Sequence, residues 1–241
     1  MMSFKKYKLL VEAGQSSGKM ELVKTNVEKA FAFAIDTFEH YGYRLPDELP
    51  DFKKNYIKAQ AVAGTGSTLR KDMPVIDEKD VHMFQKRLKD GYIDLNKPFS
   101  SDTDGKDPFP EGLKGEKALR FLEDGLKIHD GSKKDDMVKV KMAKITVKDL
   151  KPIQKQIYFD KSIQGTAQFG VEGTKKFLQG EGSTFIVSSD NHIIDGHHRM
   201  LSALLVDPTM KVKCMVIDLP ISVLLPLSLA YGDAIGNGRN K

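Results

Sequence analysis

The segment Phe185-Ile-Val-Ser-Ser-Asp-Asn-His-Ile-Ile-Asp-Gly-His-His-Arg-Met-Leu-Ser-Ala-Leu204 predicts the centre of the fold. Its two short apolar runs, Phe185 to Val187 and Ile193 to Ile194, have the β-branched and aromatic content of buried strands. The polar residues between them, 188–191, are typical of a turn. We therefore expect a hairpin that delivers Asp195 and Gly196 to the edge of a sheet.

A buried helix is expected directly after Gly196, because apolar residues recur from Met200 to Leu205. Gly196, His197, His198 and Arg199 would then lie at a helix start, where backbone N–H groups favour anions. Glycine allows close backbone approach, arginine can bind phosphate oxygens in a bidentate manner, and either histidine can donate or carry a proton. The pattern fits equally well a plain helix cap, with Asp195 accepting from the first amides.

The composition predicts a globular protein of one large or two small domains. Of 241 residues, 40% are hydrophobic and 29% are charged, which is ordinary for a folded chain. The N-terminal stretch has no secretory pattern, and the single cysteine, Cys214, favours a reducing compartment. The expected location is the cytoplasm, or a phage virion within a bacterial host.

The positive charge is concentrated in the C-terminal part. Residues 1–136 carry 24 basic and 24 acidic side chains, whereas residues 137–241 carry 14 basic and 9 acidic. Six lysines lie between Lys139 and Lys155. Such a surface could bind a nucleotide or DNA, or it could be the solvated face of a strand.

The order of elements predicts an α+β fold in two parts. Helical spacing over 20–43, and further helices at 80–89 and 114–127, predict a mainly helical region at 1–135. Segments 42–50, 61–67 and 98–112 are typical of loops. From Met137 the pattern changes to strands and helices, which predicts a boundary at 130–136 and a second domain at 136–241 that contains a small mixed sheet.

A second group of polar residues precedes the hairpin. Pro152 should end one element, Gln154 offers an amide that can donate and accept, and Phe159 is the expected core anchor. Asp160 and Lys161 are then expected at a helix start, as general base and phosphate partner. The alternative is an ordinary surface cap.

Taken together, Pro152-x-Gln154, Phe159 and the Gly196-x-x-Arg199 turn with its following helix resemble the ParB N-terminal domain and sulfiredoxin superfamily over residues of about 138–218. In that superfamily the Gly-x-x-Arg turn binds nucleotide phosphates. The resemblance implies that role for residues 196–199. The form Asp-Gly-His-His-Arg is similar to that of the free serine kinases of the superfamily, which transfer a phosphoryl group from a nucleotide and use an acidic base.

The chain departs from two branches of this superfamily. Chromosome-partitioning ParB proteins have Arg where this chain has Gln156, and Gly-Glu-Arg-Arg where it has Gly-His-His-Arg. Sulfiredoxins need a cysteine at the position of His197, and Cys214 is expected in a buried strand. The chain therefore lacks the residues that support CTP switching of the centromere type in ParB proteins and sulfinic-acid reduction in sulfiredoxins.

No other motif predicts a cofactor site. Gly14 to Lys19 has the wrong spacing for a P-loop, and Met20 stands where that loop needs Ser or Thr. The histidines lack the spacing of a zinc site. A magnesium ion on nucleotide phosphates, held loosely by Asp195 or Asp160 and by waters, fits the sequence better.

These patterns lead to two hypotheses. In the first, an enzyme binds ADP, ATP or CTP through Gln154, Lys161 and residues 195–199, with Asp160, His197 and His198 as candidate catalytic residues. It would be a phosphotransferase acting on a hydroxyl acceptor, or a nucleotide hydrolase. In the second, the fold is a non-catalytic DNA-binding or structural module, such as a phage virion component. Either protein could form a homo-oligomer or join a larger assembly.

Overall fold

The computed structural model describes residues 19–74, 140–180, 183–222, 224–225 and 228–229. Within them the chain has the expected α+β fold. Helices form the N-terminal part, and a mixed five-stranded sheet follows, with further helices between its strands. The predicted helices at 80–89 and 114–127 and the loop at 98–112 lie outside the described residues. So does the domain boundary at 130–136, which stays a prediction.

The chain divides into two compact units. The first comprises Met1–Leu69, Met142–Ile186 and Asn191–Met215, and the second comprises Arg70–Lys141, Val187–Asp190 and Val216–Lys241. Every contact of the candidate site described below joins residues of the first unit.

The N-terminal helices are α1 (Val27–His40), α2 (Leu45–Glu48) and α3 (Phe52–Ala63). The predicted helix over 20–43 is therefore wrong in its first turns. The Asn26 side chain accepts from the amide of Lys29 at 2.8 Å, and this cap begins α1. Before it, Leu22–Lys24 forms a short 3-10 turn, and the Leu22 amide donates to the carbonyl of Ile157 at 2.8 Å.

Two predicted loops also contain helix. The short helix α2 lies within 42–50, and α3 continues into 61–67 as far as Ala63. The sequence did not predict α3, because its buried face includes the polar Asn55, whose side-chain amide donates to the carbonyl of Leu205 at 3.1 Å. A polar residue on the inner face weakens the hydrophobic pattern that identifies a helix.

An aromatic cluster forms the centre of the helical packing. The rings of Phe52, Tyr56 and Phe159 lie with centroids 5.2 to 6.0 Å apart, and each residue is at most 1% exposed. Such pairs add to the stability gained by burying apolar area. Phe159 is thus confirmed as a core anchor.

The sheet is formed by β1 (Val140–Thr146), β2 (Lys151–Pro152), β3 (Phe185–Ser188), β4 (His192–Asp195) and β5 (Lys211–Ile217), in the order β1-β5-β3-β4-β2. The β3–β4 hairpin is confirmed. However, β4 is not at the edge, since β2 pairs with it in parallel at His192 and Ile193. That pairing ends before Asp195, and Pro152 is tolerated because β2 is itself an edge strand.

Two longer helices lie among the strands, α4 (Phe159–Gln179) and α5 (His197–Val206), and the described residues among 221–229 are also helical. Helix α4 is broken at Gly170, which has φ 66°, and beyond the break the Val171 amide donates to the Glu48 carboxylate at 3.0 Å. Helix α5 follows β4 through Gly196 alone, as predicted. Among the described helices, none has the length and apolar character needed to cross a bilayer.

Candidate functional site

Gly196 turns the chain from β4 into α5. Its backbone has φ 121° and ψ 13°, a conformation that side chains disfavour. A Cβ atom there would lie 2.6 Å from Cδ1 of Phe185. Only glycine fits this position, and the close approach that it permits is to an aromatic ring of the protein itself.

The guanidinium of Arg199 is held by groups of its own chain. Its Nη2 lies 2.5 Å from Oδ2 of Asp195, its Nη1 donates to the carbonyl of Thr184 at 3.2 Å, and it lies 5.0 Å from the centroid of the Phe185 ring. The Arg199 side chain is 12% exposed, whereas that of Asp195 is 47% exposed. Arg199 is therefore fixed in place, while Asp195 lies at the boundary with solvent.

His197 and His198 both reach the segment that joins β2 to α4. Nε2 of His197 accepts from the amides of Ile153 and Gln154 at 3.2 and 3.1 Å. Nε2 of His198 accepts from the amide of Tyr158 at 3.3 Å. The two imidazoles thus connect the first turn of α5 to this segment, which we call the 153–158 loop.

The 153–158 loop also pairs with the N-terminal part of the chain. The Thr68 amide donates to the carbonyl of Ile153 at 2.8 Å, and the Lys155 amide donates to the carbonyl of Thr68 at 2.7 Å. Gln154 is 2% exposed, and its side-chain amide donates to the backbone carbonyl of Gln156. Thr68 could not be predicted from the sequence as part of this site, because no local pattern reveals a partner so distant in the chain.

Asp160 lies buried in the first turn of α4, at the predicted helix start. It is fully buried; its Oδ1 accepts from the Met20 amide at 3.2 Å, and its Oδ2 has no partner among the described residues. The Phe159 amide in turn donates to the Met20 carbonyl at 2.7 Å. The role of Met20 in covering this helix start carried no sequence signal.

The N-terminal ends of α4 and α5 meet at Tyr158 and His198. Their rings stack with centroids 6.2 Å apart, and Oγ of Ser162 donates to the His198 carbonyl at 3.1 Å. The ammonium groups of Lys19 and Lys161 lie 5.7 and 5.9 Å from the centroid of the Tyr158 ring. Positive charge and the positive ends of two helix dipoles therefore lie in one neighbourhood.

The predicted site residues form two sets that share the first turn of α5. One set surrounds the 153–158 loop and the start of α4, and the other is the Asp195–Arg199 pair against Phe185. The i,i+4 spacing of Asp195 and Arg199 is the sequence signal from which their pairing could have been predicted. Gly196 joins the two sets along the backbone.

Cys214 lies in the buried strand β5, as predicted. Burial raises its pKa to about 11, against smaller opposing effects of a backbone hydrogen bond with Ile145 and the positive charge of Arg199. The thiol is therefore not nucleophilic near neutral pH. In the described part of the chain, no group of three or more His, Cys, Asp or Glu residues is arranged to hold a metal ion.

The described lysines of the basic segment all face solvent. They are Lys141, Lys144, Lys148, Lys151 and Lys155. Lysines along β1, at one edge of the sheet, also discourage pairing with another chain. This arrangement fits both a solvated strand face and a surface for polyanions.

Comparisons with models of protein families, with curated proteins and with solved structures find no significant match to this chain.

Proposed function

We propose that the chain carries a ParB/sulfiredoxin-like domain that binds the phosphates of ADP, ATP or CTP at the start of α5, and that it transfers a phosphoryl group to a hydroxyl acceptor or to water. The observation that carries this proposal is the meeting of two helix starts at Tyr158 and His198. Helix starts favour anions, and the ammonium groups of Lys19 and Lys161 add to that field.

Arg199 has a defined part in this proposal. Because the Asp195 carboxylate is half exposed, it can rotate into water while Arg199 stays held by Thr184 and Phe185. A phosphate oxygen would then replace the carboxylate on the guanidinium, which remains paired throughout. Asp195 is in this view a competitor that keeps the arginine oriented until phosphate binds.

Asp160 is the proposed base for the acceptor hydroxyl. An unpartnered buried carboxylate oxygen is costly in a stable fold, and a ligand donor would satisfy it. The other oxygen, Oδ1, already accepts from the Met20 amide, so the acceptor hydroxyl is proposed to reach Oδ2. Because Asp160 is fully buried, this requires the surrounding residues to open. A magnesium ion on the phosphates would be held loosely by Asp195 or Asp160 and would offset phosphate charge.

Turnover tests the enzymatic part of the proposal. The wild-type chain is incubated with each nucleotide and magnesium, and phosphate release or transfer is measured with serine, other hydroxyl compounds and hydroxymethylated DNA as acceptors. Asp160→Asn should lower the rate by about 10²- to 10⁴-fold, the usual contribution of general base catalysis. Asp149→Asn, an exposed carboxylate outside the site, is the control. An unchanged rate in Asp160→Asn would refute the assignment of the base.

A non-catalytic DNA-binding or structural role, including one in a phage virion, is the second candidate. The exposed lysines from Lys141 to Lys155 favour it, and so does the engagement of Arg199 and both imidazoles by the chain itself. Binding to duplex DNA that falls steeply with salt, with no response to nucleotides, would support it. The reducing cytoplasm is the compartment expected for the nucleotide-dependent enzyme. A virion is the location expected for the structural protein.

A further inference from the structure

Three backbone amides face the ring nitrogens of the histidine pair. They belong to Ile153 and Gln154, opposite His197, and to Tyr158, opposite His198. A backbone N–H can only donate, so each Nε2 must present a lone pair. A neutral imidazole with an accepting Nε2 carries its proton on Nδ1.

We infer that His197 and His198 are positioning residues, held as neutral Nδ1–H tautomers, which clamp the 153–158 loop onto the first turn of α5. This inference deepens the proposed function, because that loop borders the proposed phosphate site. In this arrangement neither Nε2 donates a proton to a ligand. The donors to phosphate are then the α5 backbone, Arg199 and Lys161.

The amides that donate to His197 need acceptors because they belong to buried residues. Ile153 and Gln154 are 5% and 2% exposed, and an amide that is buried without an acceptor is costly. Successive residues on a helix point in different directions, yet both imidazoles find amides because the loop passes around the helix start. Removing one imidazole should therefore release its own part of the loop first.

The clamp also fixes the position of Gln154. Its backbone amide nitrogen lies 3.1 Å from Nε2 of His197, and its side-chain amide donates to the carbonyl of Gln156. The opposite side of the loop is held by the pairing with Thr68. The backbone at Gln154 is thus held by His197 of α5 and by Thr68 of the N-terminal part of the chain.

Hydrogen exchange followed by NMR tests the clamp without any nucleotide. His197→Leu should speed exchange of the Ile153 and Gln154 amides by roughly tenfold, the effect of one or two lost hydrogen bonds. His197→Gln places an amide oxygen near the former Nε2 and should restore much of the protection. His40→Leu, on the exposed end of α1, is the control and should leave both amides unchanged.

The tautomers themselves are read from the ¹⁵N spectrum of the wild-type imidazoles, so this test does not depend on a variant that folds. We expect an unprotonated Nε2 and a protonated Nδ1 in both residues near neutral pH. A protonated Nε2 in either histidine, or exchange in His197→Leu as slow as in the wild type, would overturn the inference. Failure to bind nucleotide would leave these readouts unaffected, so the two proposals fail separately.

Discussion

Substitution of Gly196 by alanine tests the junction on which the site is built. At φ 121° an alanine is strained, which costs about 1–2 kcal/mol by the usual penalty for a left-handed residue. Its Cβ would also lie 2.6 Å from Cδ1 and 3.0 Å from Cε1 of Phe185. Overpacking of this kind adds about 1–3 kcal/mol. We therefore expect Gly196→Ala to lower the free energy of unfolding by about 2–5 kcal/mol.

Gly42 provides a matched control for this experiment. It also has a positive φ, 82°, but a Cβ there would meet nothing within 4 Å. Gly42→Ala should therefore cost only the backbone strain, about 1–2 kcal/mol. Urea unfolding of the wild type and the two variants measures both losses of unfolding free energy, with typical slopes of about 1–3 kcal/mol per molar urea. The difference between the two losses is the cost of the clash with Phe185. Equal losses in the two variants would show that the Phe185 contact does not restrict residue 196.

Three further predictions follow from the described contacts. Asp195→Asn should tighten ADP binding about two- to fivefold, because a partly exposed ion pair is worth up to about 1 kcal/mol and asparagine competes less for the guanidinium of Arg199. Calorimetry measures the affinity, with the exposed Asp218→Asn as the control. Weaker binding would show that the Asp195 carboxylate contacts the ligand instead. Cys214 should react slowly with thiol reagents at pH 8 in the folded protein and fast in urea; since burial raises its pKa from 9.0 to about 11, its contribution to stability is complete below pH 9 and is lost as the pH rises through 11. Tyr56→Phe should cost about 0.5–1.5 kcal/mol on thermal unfolding. The single hydroxyl proton of Tyr56 is donated to the carbonyl of Thr25 at 2.9 Å, with the carbonyl of Leu22 as a second acceptor at 3.3 Å, and both carbonyls also accept from Gln60. A loss no larger than that of the exposed Tyr41→Phe would contradict the last of these.

The strand, turn and helix around Gly196 could be predicted because their signals are local. Short apolar runs, a polar turn, one glycine and a following apolar helix all lie within residues 185–204. The same holds for the helix that begins at Phe159 and for the buried strand that contains Cys214. Each of these patterns needs only neighbouring residues to be interpreted.

The parts that could not be predicted depend on contacts between distant residues. Met20 covers Asp160 across 140 positions of the chain, and Thr68 pairs with the 153–158 loop. Nothing in the local sequence around either residue indicates its partner. The histidines illustrate a different limit: their presence at a helix start was evident, but whether they face a ligand or backbone amides depends on where the 153–158 loop runs.

Nucleotide titration of the wild type and Arg199→Ala is the most direct test of an anion site at the start of α5. ADP, ATP and CTP are added with and without magnesium while thermal unfolding is followed. A nucleotide at 100 times its Kd should stabilise the wild type by about 2.7 kcal/mol. Arg199→Ala should lose that gain, whereas Arg44→Ala, an exposed arginine on the N-terminal side of α2, should keep it. No rise in melting temperature with any nucleotide, or an equal rise in Arg199→Ala, would contradict the proposed site.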